Sequence, residues 1–214
     1  MLYKEERQLL IDTARTMERM GLVKLSGGNV SMRMPCGNFL VTPSAMGYDT
    51  MVPEDIVLID GDGNTVEGFR RPSSDWKALT YIFRHMPHVN AILHTHQSAA
   101  VALSLIADEL PVISTTMVDE VKDTVRVAPF TISSDEGMGI SAVEYAGKSL
   151  AVILKNHGVL AFGKNMDQAL AAVVYLEETC EVYLKALATG RPITCLTPEQ
   201  IEAEDTPRGN YGQP

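Results

Sequence analysis

Basic residues are scarce in this chain: 18 Lys and Arg stand against 27 Asp and Glu, a formal charge of −9 over 214 residues. Nucleic acids and anionic membrane surfaces select basic patches, so this balance argues against both as partners. A phosphate group is still within reach, because backbone N–H groups and a metal ion can hold one in an acidic protein. Cysteine is scarce too. Cys36, Cys180 and Cys195 are odd in number and form no C-x-x-C pair, which argues against a disulfide scaffold and suits a reducing compartment. No stretch approaches the roughly 18 apolar residues of a membrane span. The N-terminus MLYKEERQLL is charged where a secretory signal has its apolar centre. Internal repeats and linkers are also missing. The expectation is one cytoplasmic α/β domain over residues 1–214, its last segment, about 191–214, forming a C-terminal tail richer in proline and charge.

What is present has the periods of alternating helix and strand. Leu9, Leu10, Ala14, Met17 and Met20 recur at helical spacing before Gly21. Phe39–Thr42 and Ile56–Ile59 are strand-like, and a turn follows at 60–64. A helix is expected from about Ser73, a buried strand over Val89–Leu93, and a helix from Gln97 to about Ala107. Short strands are expected near Val112 and Val125, and a helix near Ser141–Lys148. Leu150–Leu154 is an apolar run that reads as a central strand, and a long helix is expected from about Asp167 to Ala188.

Two buried strands deliver histidines. His94 and His96 stand two residues apart at a strand end, so both imidazoles point to one face. His157 follows the second strand, beside the small Gly158. A lone histidine is more often a solvated or hydrogen-bonded side chain. Three imidazoles without a thiolate partner instead suit zinc or another borderline divalent ion with an open position. His85 and His88 flank an expected turn at Met86-Pro87 and are expected at the surface.

Three clusters of small residues precede or follow the first strands: Ser26-Gly27-Gly28-Asn29-Val30-Ser31, Thr42-Pro43-Ser44 and Pro72-Ser73-Ser74-Asp75. Each alone reads as a turn or helix cap. Together, in a chain with a histidine triad, their hydroxyls and turn N–H groups make an anion cradle. Asp75 opens a helix, either as a first-turn acid complementing the dipole or as a carboxylate beside the metal.

Taken in order, Ser26-Gly-Gly-Asn29, Thr42-Pro-Ser44, Pro72-Ser-Ser-Asp75, His94-Thr-His96 and Asn156-His-Gly158 resemble the class II aldolase/adducin family over nearly the whole chain. That family includes L-fuculose-phosphate aldolase and L-ribulose-5-phosphate 4-epimerase. The resemblance implies a three-layer fold with a central, largely antiparallel sheet flanked by helices, and a homotetramer with active sites between subunits. It implies Zn2+ (Mn2+ or Co2+ being alternatives) on His94, His96 and His157, polarising the carbonyl of a small phosphorylated sugar and stabilising the enediolate left by carbon–carbon cleavage. The phosphate would lie against Gly28, Asn29, Thr42, Ser44, Ser73 and Ser74.

Departures from the family pattern bear on which member this is. Aldolases usually carry glutamate where Asp75 stands, and a tyrosine where Thr115 falls. Aspartate at 75 and the segment Thr115-Thr116-Met117-Val118-Asp119 resemble the epimerase, in which the aspartate at position 119 would be an acid/base residue. Against the epimerase, Gln200 falls where that group places a histidine, and the insertion before the third metal ligand is missing. Tyr211, in the ending Tyr-Gly-Gln213, would reach a neighbouring subunit's site and move a proton. Ala45 replaces the usual glycine and would be strained if its φ is positive. The aldehyde-lyase is the first reading and the 4-epimerase, which runs the same cleavage without releasing the aldehyde, the second. A dehydratase or decarboxylase of the same fold comes next. A non-catalytic adducin-like module would be expected to lose metal ligands that this chain keeps.

Overall fold

In the computed structural model, which describes residues 1–205, helix α1 (Lys4–Arg19) buries Leu10, Ile11, Ala14 and Met17 along one stripe. Glu5 and Glu6 occupy its first turn and Arg19 its last, the charge order a helix dipole favours. There follow β1 (Asn29–Arg33), β2 (Phe39–Val41), β3 (Val57–Ile59) and β4 (Thr65–Glu67), then α2 (Trp76–His85), β5 (Ala91–Thr95) and α3 (Ser98–Ser104). The second half runs β6 (Glu109–Leu110), α4 (Thr115–Glu120), β7 (Val125–Ala128), α5 (Glu136–Ala146), β8 (Ala151–Leu154), β9 (Gly158–Gly163), α6 (Met166–Leu187) and α7 (Pro198–Glu204).

The strands form a sheet ordered β4-β3-β2-β1-β5-β9-β8-β7-β6. Every neighbouring pair is antiparallel except β7–β8, so the expected largely antiparallel sheet is what the chain builds. Side-chain alternation divides it into two cores. Leu93, Val159 and Ile153 pack with α1, α3, α4 and α6. Ile92, Leu160 and Val152 pack with α2 and α5 on the other face. The central strands are covered on both sides, which is why they read as unbroken apolar runs.

Several elements differ from expectation. Helix α5 starts at Glu136 rather than near Ser141, because Asp135 caps it by accepting the Gly137 N–H; glycines 137 and 139 hide that turn from a propensity reading. Short α4 was not expected; Ser114 caps it by accepting the Met117 N–H at 3.2 Å. The strand near Val112 lies two residues earlier, as β6. Of the C-terminal tail, residues 191–205 fold back on this chain: the Leu196 N–H donates to the Val112 carbonyl, and Lys122 pairs with Asp205 at 3.0 Å. Helix α7 there is set by a capping box, in which the Gln200 side chain accepts the Thr197 N–H at 2.8 Å.

Loop anchoring shapes the ground near the histidines. Arg15 of α1 donates to the carbonyls of Tyr48 and Met51, each at 3.0 Å. Buried Tyr48 in turn donates its hydroxyl to the Gly27 carbonyl at 3.0 Å. An isolated bridge joins Pro43 to Pro72, flanked by Ser44 N–H to Arg71 O and Ser73 N–H to Thr42 O, both 3.0 Å. Two of the three small-residue clusters are thereby brought side by side.

Ala45, next along this loop, has φ of 55°, the left-handed region that disfavours a Cβ. Ala45→Gly is expected to raise stability by about 1 kcal/mol, a Tm increase of about 2 °C. Thermal denaturation of the two proteins checks this, and an unchanged or lowered Tm would show that alanine sits there without strain.

Candidate active site

β5 presents His94 on the α2/α5 side of the sheet, in line with Ile92. Its partner across the ladder in β1 is Asn29. His96 lies one residue past the strand, held by its N–H donating to the Leu22 carbonyl at 3.1 Å. His157 sits in the turn between β8 and β9, after Asn156 in the left-handed conformation at φ 60°. Two glycines make this convergence possible. A Cβ on Gly28 would collide with the His94 carbonyl, and one on Gly158 with the Thr95 carbonyl.

One nitrogen of each imidazole lies within 4.8 Å of the other two. Val159 O can only accept, so His94 Nδ1, at 2.9 Å, carries the ring proton and leaves Nε2 as a bare lone pair. That Nε2 is 3.0 Å from His96 Nε2. Burial pushes the His94 imidazole down to about 4, reinforced by His96 and His157 and opposed by Asp75. His96 and His157 are also lowered, chiefly by desolvation. Neutral imidazoles with converging lone pairs are the ligand form, and a His94 ring oriented by a carbonyl is the usual support for a metal-binding histidine. The donor set fits a borderline divalent cation.

Asp75 stands at the N-cap of α2, yet its side chain makes no capping bond. Its carboxylate instead turns to the histidines. Oδ2 accepts from Asn29 Nδ2 at 2.8 Å and lies 3.9 Å from His94 Nε2; Oδ1 accepts from the Ser134 hydroxyl at 3.2 Å. Of the two expectations for Asp75, the geometry matches the carboxylate beside the histidines.

A cleft of about 250 Å³ opens over this group. Gly28, Ser44, Ser73, Ser74, Asp75 and the three histidines line it, as the motifs led one to expect. Asn29 is buried behind them, its Oδ1 without a hydrogen-bond partner among the described residues. Thr42 is also buried, and its hydroxyl accepts the Val30 N–H at 3.2 Å, so it supports the loop rather than facing the cleft. Asp119 is exposed on α4 and is not part of the lining. Tyr211 lies outside the described residues. Ser133 and Ser134 also line the cleft, beyond the residues that the motifs single out. Their signal was the same as at 72–75: a short polar cluster, Thr131-Ile132-Ser133-Ser134-Asp135, just before a helix. Backbone strain gathers here too. Ala45 and Ser134 line the cleft with positive φ, and Leu25 and Asn156 adjoin it, likewise with positive φ.

Residues 8–184 match the family described as the class II aldolase and adducin N-terminal domain. The chain is 32% identical to L-fuculose phosphate aldolase of Haemophilus influenzae over 198 residues, covering 92% of this chain and 91% of that one. It is 29% identical to 5-deoxy-D-ribulose 1-phosphate aldolase of Bacillus thuringiensis over the full length of both. Among solved structures, an L-fuculose 1-phosphate aldolase superposes with a TM-score of 0.90 at 29% identity, covering 96% of each chain. With the histidine cluster at the end of β5 and the antiparallel sheet already in place, these likenesses leave one conclusion: the chain belongs to the class II aldolase/adducin family.

Proposed function

We propose that this protein is a metal-dependent aldehyde-lyase that cleaves a small ketose phosphate by a retro-aldol reaction. The observation that carries the reading is the meeting of three neutral imidazoles and one carboxylate inside a serine-lined cleft. His94, His96 and His157 would hold the ion, zinc being the first choice for three nitrogen donors and manganese or cobalt the alternatives. When bound, it supplies the positive charge that withdraws electron density from a substrate carbonyl.

The chain's own residues do the rest. Ser44, Ser73, Ser74 and the Gly28 backbone offer hydroxyls and N–H groups to the phosphate, with Asn29 and Thr42 supporting them. Asp75, whose Oδ2 lies 3.9 Å from His94 Nε2, would move a proton at the carbon beside the carbonyl after the bond breaks. The second proton, on the hydroxyl that becomes the aldehyde, needs another group. We assign it to Tyr211 of a neighbouring subunit in a homotetramer. Exposed Leu25, Phe130 and Ile132, close in sequence to cleft residues, would then be covered by a partner. The exposed free thiols of Cys36 and Cys195 suit the cytoplasm, and among the described residues no helix is long and apolar enough to cross a membrane.

The 4-epimerase reading shares the cleavage step but leans on a C-terminal histidine that is absent. Gln200, at that place, is engaged as a helix cap. The lyase is therefore preferred.

Phosphorus NMR of the metal-loaded protein with L-fuculose 1-phosphate, 5-deoxy-D-ribulose 1-phosphate and L-ribulose 5-phosphate decides between them. A new triose-phosphate signal is expected, lost by more than about 100-fold in His96→Ala together with the bound metal. Epimerisation of the pentulose phosphate without fragments would overturn the lyase in favour of the epimerase. Deleting residues 209–214 is expected to lower turnover by about 100-fold with metal content intact; unchanged turnover would remove Tyr211 from the chemistry.

Protonation competes with folding as well as with the metal. An unfolded histidine titrates near pH ~6.5, whereas His94 in the fold is pushed down to about 4. The unfolded chain takes up that proton first on acidification, so stability is full above pH ~6.5 and declines as pH falls towards 4. Thermal melts of the chelator-treated protein from about pH 8 to about pH 5 are expected to show this slope, flattened in His94→Gln. A parent profile already flat over that range would contradict a His94 buried in its neutral form.

A further inference from the structure

We propose that Ser134 is a positioning residue that acts through Asp75, an inference that rests on the aldolase reading of this site. The Ser134 hydroxyl reaches Asp75 Oδ1 at 3.2 Å, while Asn29 Nδ2 holds Oδ2 at 2.8 Å. A carboxylate only accepts, so both neighbours donate to it, one on each oxygen. The rotation of an aspartate carboxylate about its last bond is soft. A single donor on Oδ2 would leave the group free to turn about that bond. The second donor, from the opposite side, removes this freedom and fixes Oδ2 at 3.9 Å from His94 Nε2, beside the imidazole nitrogens and not among them.

The local backbone gives an independent reason to look for a side-chain role. Ser134 has φ of 65°, where glycine is at ease and serine is not. The turn into α5 already has its cap in Asp135, which accepts the Gly137 N–H. Local structure would therefore be served better by glycine at 134. What serine contributes is the hydroxyl. This is the pattern of a strained residue kept for a contact at a site.

The two roles separate because Ser134→Gly removes the hydroxyl and relieves the backbone together, while Ser134→Ala removes the hydroxyl alone. A crystal structure of the Ser134→Gly protein needs no substrate, and in it the Asp75 carboxylate is expected to rotate away from its place beside His94. An unmoved carboxylate would overturn the proposal whatever reaction the site performs. In kinetics with the sugar phosphate that the wild type cleaves, both variants are expected to lose about 10-fold in kcat, with KM within about twofold. Metal content is expected to stay stoichiometric and the Tm of the glycine variant to be no lower than wild type. A purely structural role for Ser134 predicts a glycine variant of full kcat, and that result would overturn the proposal. On an Asp75→Ala background the Ser134→Gly change is expected to cost nothing more; a further multiplicative loss would show that Ser134 does not act through Asp75. If the wild type cleaves no sugar phosphate the aldolase reading falls, and the crystallographic result still decides whether Ser134 holds Asp75.

Discussion

Everything at this site depends on how closely three stretches of backbone pass at the end of β5. The His94 carbonyl lies where a Cβ of residue 28 would be, and the Thr95 carbonyl where a Cβ of residue 158 would be. Glycine at both places lets β1 and β9 flank β5 at full ladder contact while three imidazoles turn inward. The apolar cores on either face of the sheet then hold that crossing rigid, because packed interiors resist the ångström shifts that would separate the nitrogens.

A second constraint is electrostatic. His94 is buried, so its charged form is disfavoured, and the Val159 carbonyl selects which nitrogen stays bare. Without a cation the nearest counter-charge is Asp75, whose position is set by neighbours on β1 and before α5. The three imidazoles and the carboxylate thus come from separate elements that meet at one edge of the sheet. This arrangement is favourable for preorganised chemistry because no group has to move far to act. The cost shows as residues in the left-handed region around the cleft, each a local departure from what its side chain prefers.

Much of this was legible before any coordinates. The histidine spacing, the apolar runs of β5 and β8 and the serine clusters carry strong local signals, because metal ligation, burial and turn chemistry each restrict residue type. What was not legible came from tertiary contacts. Nothing in the local sequence says that the Thr42 hydroxyl is spent on the Val30 N–H, or that Asn29 faces Asp75 and is buried behind the cleft. Helix α4 is too short to show a period, and α5 is disguised by its glycines. Helix α7 is a different case: its capping box, Thr197 to Gln200, is in plain view within a segment whose proline and charge suggest a tail. Ala45 shows the opposite outcome: its departure from the family pattern raises the question of a positive φ, and the backbone there has φ of 55°.

The bridge between Pro43 and Pro72 has a consequence for molecular recognition. Proline holds φ near one value and offers no N–H, so this pairing cannot extend into a longer ribbon, and neither segment has much freedom to lose. The adjoining serines are presented by loops already in their final shape. An anion bound there would meet a rigid template and surrender little of the ordering entropy that a flexible loop loses on binding. If the serines take the phosphate as proposed above, discrimination between one phosphorylated sugar and another would fall to the parts of the rim that are not stapled in this way.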